Sequence, residues 1–171
     1  MSKLVIIRGN SGSGKSSLAK KVQKYYGRGT LLVQQDVVRQ DMLWVHDGEN
    51  NESISLFEKL LEYAYNNNII AIFEGVFASK WYGSLFEKAV SLYGKENIYA
   101  YYYDLSIDET IRRIKLRKNS FEFDEKTVRE FWLDKDYLNM NEEKIFFDDT
   151  SLEEALDTII SDVGDFSLFQ Y

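Results

Sequence analysis

IIRGNSGSGKSS, residues 6–17, decides how the rest of the chain is read. Gly9, Gly12 and Gly14 fall within six residues, and Lys15, Ser16 and Ser17 follow at once. Glycine is entropically costly to order, so this density marks a stretch that needs bare backbone. Residues 9–16 fit G-x-x-x-x-G-K-[ST] in full, with an apolar run before them and a helical pattern after. In such a loop the backbone of Gly9, Asn10, Ser11, Gly12, Ser13 and Gly14 wraps so that amide N–H groups point at phosphate oxygens. The helix that begins near Lys15 adds its positive end and its unpaired donors. Lys15 is expected over the β- and γ-phosphates, Ser16 on Mg²⁺ through its hydroxyl, and Ser17 against the α-phosphate. A plain Gly/Ser-rich turn is the competing reading, but it requires neither the flanking strand and helix nor the lysine.

The pattern outward from this loop alternates. Lys3–Arg8 is a nearly continuous apolar run of the kind found in buried parallel strands, and Leu18, Val22 and Tyr25 recur at helical spacing behind it. Further strands are expected at Thr30–Gln34, Ile69–Phe73, Ile98–Tyr103 and Lys144–Phe147. Helices are expected around Ile54–Ala64, Leu85–Leu92, Ile107–Ile114, Val128–Leu133 and Leu152–Val163. Ser106 with Glu109, and Thr150 with Glu153, read as capping boxes. Strand–helix alternation argues for an α/β fold with a mostly parallel sheet covered on both faces. Ligands of such sheets lie beyond the carboxyl ends of the strands.

The chain of 171 residues reads as a single domain, residues 1–171, with a lid at about 113–135. It has no cysteine and one histidine, which removes disulfides, thiolate chemistry and the usual zinc sites. A formal charge of −7 speaks against a general nucleic-acid binder. No apolar run reaches membrane-spanning length, and the opening stretch stops at Arg8, too early for a secretory leader. A cytoplasmic location without membrane contact is the expectation, as a monomer or homodimer.

The strand ends supply the candidates for an acceptor. Asp36 follows the second strand, where a carboxylate could orient an incoming hydroxyl and take its proton late. A simple helix N-cap is the other reading, and the two are compatible. Arg39 lies three residues on and could grip an anionic part of the acceptor or form a surface ion pair with Asp36. Glu74 ends the third strand, where it could hold a Mg²⁺-bound water, hold the acceptor, or simply face solvent. Arg113 and Arg117 are four apart on one helical face, ahead of a loop-like stretch. Like charges this close call for an anion, so a lid that closes these arginines over the γ-phosphate competes with a solvated basic face or pairing with the acidic tail end. His46 reads as a surface residue. Phe77, Trp81 and Tyr82 read as pocket lining or as core, and Tyr99–Tyr103 as strand and core.

With these residues in place the chain resembles the small P-loop kinases, especially the branch of polynucleotide 5′-kinase, zeta-toxin-like kinases and chloramphenicol phosphotransferase. Residues 9–17 match the family's Walker A loop. Asp36-Val-Val-Arg39 is similar to the D-x-x-R of phage polynucleotide kinase, whose aspartate is the general base and whose arginine contacts the acceptor nucleotide. Arg113-x-x-x-Arg117 is similar to that enzyme's lid arginines, the second of which binds donor phosphates. "QDVVR…ML" and "FEG" segments are shared with bacterial kinase-like proteins. The resemblance implies a three-layer fold with five parallel strands in the order 2-3-1-4-5, an ATP donor with Mg²⁺, and adenine near the fifth strand. Glu74 departs from the phage enzyme, which has aspartate there.

Together these readings predict an ATP-dependent kinase acting on a hydroxyl of a small molecule, with Lys15, Asp36 and Arg117 as catalytic residues. Two alternatives stand beside it. One is a nucleic-acid 5′-hydroxyl kinase, which the acidic composition disfavours. The other is a nucleotide-binding regulatory or toxin-like protein with little turnover.

Overall fold

The computed structural model of the chain describes residues 2–116, 125–138 and 142–165. Five parallel strands form one sheet in the order β2-β3-β1-β4-β5. They are β1 (Lys3–Gly9), β2 (Leu31–Gln34), β3 (Ile70–Gly75), β4 (Ile98–Tyr103) and β5 (Lys144–Phe146). This is the order implied by the resemblance. The helices are α1 (Lys15–Tyr26), α2 (Ser53–Asn66), α3 (Ser79–Tyr93), α4 (Ile107–Lys115), α5 (Glu125–Glu130) and α6 (Leu152–Val163).

β1 is the central strand, and its side chains alternate between two cores, as a strand of period two must. Leu4 and Ile6 pack with Phe57, Leu61, Phe73 and Leu85 beneath α2 and α3. Val5 and Ile7 pack with Leu18, Val22, Ala155 and Ile159 beneath α1 and α6. Both faces are therefore covered, which explains why β1 and β3 read as unbroken apolar runs. A third, small cluster of Ile111, Ile114 and Val128 joins α4 to α5, with Trp132 against it.

Several boundaries differ from the sequence reading. The last strand-side helix is capped by Ser151 and Glu154, one residue later than Thr150 and Glu153: Ser151 Oγ accepts from Glu154 N and the Glu154 carboxylate accepts from Ser151 N. At α4 only half of the expected box forms. Ser106 Oγ accepts from Glu109 N, but the Glu109 carboxylate turns to Arg112 and Arg113. α5 stops at Glu130 and the chain runs on irregularly through Leu133. After β2 the chain makes a π-helical turn, Val37–Leu43, rather than an α-helix. Asp36 stands at its N-cap without a side-chain capping bond, so the capping reading of Asp36 is not met. Among the described residues no helix is long and apolar enough to cross a membrane.

Candidate active site

The loop between β1 and α1 bends where its glycines permit. Gly12 has φ +89°, and a Cβ there would sit 2.6 Å from the Ile114 side chain. Gly14, at the N-cap of α1, has φ +103°. Both positions favour glycine for conformation, and Gly12 for space as well. Ser13 N donates to Asn10 O at 3.2 Å, and Arg113 Nη1 donates to Ser13 O at 2.9 Å, which braces the bend from both sides. The Ser13 hydroxyl is buried without a hydrogen-bond partner among the described residues. An unpaired polar atom of this kind is costly unless a ligand reaches it. Ser17 is exposed at the start of α1.

Lys15 is buried, with Nζ donating to Asn10 O at 3.3 Å and standing 3.9 Å from Glu74 Oε1. Ser16 Oγ donates to the same Glu74 Oε1 at 3.0 Å, and Gln34 Nε2 donates to Glu74 Oε2 at 2.9 Å. The sheet register explains the meeting: Glu74 pairs with Ile7 on one side and Gln34 on the other, so the carboxyl ends of β1, β2 and β3 arrive side by side. Glu74 is only 4% exposed, which excludes a solvent-facing acid. A carboxylate and a hydroxyl 3.0 Å apart are hard oxygen donors beside a phosphate-type loop. They fit Mg²⁺ shared with a polyphosphate better than a cage made by protein alone. Among the described residues no cluster of three or more His, Cys, Asp or Glu forms such a cage.

Arg113 lies beside the loop. Its Nε pairs with Glu109 Oε1 at 2.7 Å and its Nη2 donates to Asp148 O at 3.3 Å. The two arginines that flank Glu109 on α4, Arg112 and Arg113, hold its carboxyl down at about 2. Arg117 lies outside the described residues.

A cleft of about 500 Å³ reaches this loop at Asn10 and Ser11. Its lining draws on Asn10 and Ser11 of the loop, on Asp36, Arg39, His46 and Asp47 after β2, on Lys80 and Trp81 of α3, and on α5 and its continuation through Phe131, Trp132 and Leu133. Asp36 is exposed and accepts from Arg39 Nη2 at 3.1 Å. Arg39 is itself mostly covered. Its Nη1 donates to Val45 O at 3.4 Å, and its Nε stands 4.0 Å from Asp47 Oδ2 without a hydrogen bond. His46, exposed as expected, sits at the rim. Of the aromatic trio, Trp81 lines the cleft, whereas Phe77 and Tyr82 are core.

Three features of this site were not read from the sequence. Asp47 is held by Tyr82 OH at 2.7 Å, Asn51 Nδ2 at 3.0 Å and Gln35 Nε2 at 3.2 Å, a buried network that fixes its carboxylate at the cleft wall. Burial, with the Asp47 carboxylate, pushes the Tyr82 phenol above its ordinary range. The second feature is Arg8, fully buried one residue before the loop, which binds Asp136 and Glu143. The third is the Asn10 side chain, which pairs with the backbone of Leu133. A charge inside an otherwise apolar strand was the signal available for Arg8. Asp47 and Asn10 gave none.

The comparisons with known proteins agree with this architecture. The family model described as Zeta toxin matches residues 2–117. Solved structures with the same fold include the Mycobacterium tuberculosis APS kinase in complex with AMPPNP and APS, with TM-score 0.68, 17% identity, and 95% of this chain and 97% of that chain covered. A gluconokinase from Sinorhizobium meliloti 1021 gives TM-score 0.64 at 14% identity over 94% and 91% of the two chains. The Deinococcus radiodurans tunicamycin resistance protein gives 0.59 at 13% over 96% of each. No curated protein matches the chain in sequence. At these identities the structural neighbours speak for the fold, and the family match covers most of the chain. The chain belongs to the Zeta toxin family and has the nucleotide-binding fold of the P-loop kinases.

Proposed function

We propose that this protein is an ATP-dependent kinase that transfers the γ-phosphoryl group to a hydroxyl of a small-molecule acceptor. The observation that carries this reading is that one loop serves two groups of residues. Its Lys15 and Ser16 gather with Glu74, and its Asn10 and Ser11 line the cleft of Asp36, Arg39 and Asp47. The loop amides, Lys15, Ser13 and Arg113 bind the polyphosphate, with Ser17 beside them. Ser16 and Glu74 would hold Mg²⁺, which when bound neutralises charge on the β- and γ-phosphates. Glu74 is thereby assigned to the donor side rather than to the acceptor.

Asp36 accepts the hydrogen bond of the acceptor hydroxyl and aims its oxygen at the γ-phosphorus. As the new P–O bond forms and the bond to the bridging oxygen breaks, Asp36 takes the proton and ADP leaves. Lys15, with Arg117 from the lid at about 113–135, offsets the charge on the group in transit. Arg39, held between Asp36 and Asp47, positions the acceptor. The cleft charges are mixed: Asp36, Asp47 and Glu130 face Arg39 and Lys80. That balance, with Trp81 and Trp132 beside it, favours a small polar molecule over a polyanionic strand.

The test is a panel of nucleosides, sugars, antibiotics and 5′-hydroxyl oligonucleotides offered with γ-labelled ATP, run with Asp36→Asn alongside. The expected result is label on one small acceptor, with D36N keeping ATP affinity and losing transfer by roughly 10²–10⁴-fold. Transfer by D36N at the parent rate would remove Asp36 from the chemistry. A biological effect that survives D36N but not Lys15→Ala would favour the regulatory reading instead.

A further inference from the structure

The side chain of Asn10 joins the phosphate loop to the acceptor wall. Nδ2 donates to Leu133 O at 2.7 Å, and Leu133 N donates to Oδ1 at 2.9 Å. An amide that both donates to and accepts from one residue's backbone imitates a rung of a β-ladder, and two parallel bonds fix orientation as well as distance. The partners are 123 residues apart in sequence, so the bonds span two elements and not a local turn. Leu133 follows Phe131 and Trp132, and these three residues line the cleft together with Asn10 itself.

Asn10 is also engaged from the donor side. Its main-chain carbonyl accepts from Lys15 Nζ at 3.3 Å and from Ser13 N at 3.2 Å. Under the kinase reading, on which this inference rests, the Lys15 ammonium turns to the polyphosphate. Loading of the nucleotide then withdraws a donor from Asn10 O. Asn10 thus touches Lys15 through its main chain and the cleft segment at Leu133 through its side chain.

We propose that Asn10 is a positioning residue that transmits nucleotide loading to the acceptor cleft, seating the Phe131–Leu133 wall when the phosphate loop fills. It acts through Leu133 and touches neither the transferred group nor the accepting oxygen.

Trp132 is a built-in reporter of that wall: it is half-buried against Ile111, Ile114 and Val128. In a Trp44→Phe, Trp81→Phe background it is the remaining tryptophan of the three in the chain. The experiment measures acrylamide quenching of Trp132 with and without AMPPNP and Mg²⁺, with binding followed in parallel by calorimetry. The expected result in that background is a roughly twofold fall in the quenching constant on loading, as the population shifts to the seated wall. Asn10→Ala, loaded with AMPPNP to saturation as calorimetry shows, should give no change in quenching. Asn10→Asp, which keeps the acceptor for Leu133 N but loses the donor to its carbonyl, should fall between, and it carries the comparison if N10A does not fold. A loading response of full size in a folded N10A or N10D protein overturns the proposal, because an inert structural clip would alter only the unloaded value. A background protein that binds AMPPNP without any change in quenching overturns it equally. Absence of AMPPNP binding to the unmodified chain is a different failure, that of the kinase reading itself.

Discussion

Arg8→Met should unseat the segment that follows the cleft wall at Phe131–Leu133. The Arg8 side chain has no exposed surface. Nε and Nη2 donate to Phe77 O at 3.2 and 3.0 Å, and Nη1 donates to Asp136 O at 2.8 Å and to Glu143 Oε1 at 3.1 Å. Nη2 closes on Asp136 Oδ2 at 2.5 Å, and the guanidinium lies over the Tyr102 and Phe86 rings. Methionine keeps most of the volume but leaves the buried Glu143 carboxylate and the partly buried Asp136 carboxylate without this cation. Removing one side of a buried pair costs about 3–5 kcal/mol, a large share of the roughly 5–15 kcal/mol that holds an average domain folded. The loss should depend on pH. Burial already holds Glu143 above the usual carboxylate range, with Arg8 pulling it down, so R8M lifts it further. A carboxylate raised in the fold adds stability below its unfolded value and loses that contribution as pH rises through the folded one. The R8M deficit should therefore be smaller near pH 5 than near pH 8, and Arg8→Met with Glu143→Gln should recover part of it. Urea unfolding followed by far-UV circular dichroism at both pH values measures all three proteins. A deficit below about 1 kcal/mol, the range of a surface pair, or one equal at both pH values, would refute the reasoning.

Other outcomes follow from the same geometry. Lys15→Ala removes the ammonium from the loop and should weaken Mg²⁺-ATP binding by roughly 10–100-fold in calorimetry; equal affinity would end the phosphate-loop assignment. Gly12→Ala combines a positive φ with a 2.6 Å approach to Ile114 and should cost about 1–3 kcal/mol in thermal or urea unfolding; a melting curve like the parent's would mean that the bend adapts freely. Binding of a 5′-hydroxyl oligonucleotide should be weak, with a log–log salt slope shallower than about −1; a steep slope would restore the nucleic-acid acceptor.

The sheet was legible because its signals are local. β1 and β3 are apolar along their length since both faces are covered, and the glycine spacing of residues 9–14 announces the bend between strand and helix. Lys15 and Ser16 were legible for the same reason: both are fixed by their place in one short loop. Glu74 was legible as a strand-end acid, but its engagement by Ser16 and Gln34 depends on strand register, which the sequence does not state. The remainder rests on contacts far apart along the chain. Arg8 meets Asp136 and Glu143 at separations of 128 and 135 residues, and Asp47 is oriented by Tyr82, 35 residues away. The π-helical turn after Asp36 escaped for another reason. Its residues, Val-Val-Arg-Gln-Asp-Met-Leu, carry no spacing that tells a wide turn from an α-helical one.

The strand order carries a consequence for how such a protein changes over time. Lys15 and Ser16 come from the bend after β1 and Glu74 from the end of β3, two strands locked in register. The cleft walls come instead from the connections after β2 and β3 and from the segment that follows α5. Insertions in those connections can reshape the cleft while the sheet keeps its hydrogen bonds. One engine could in this way be refitted to new clients by editing its margins.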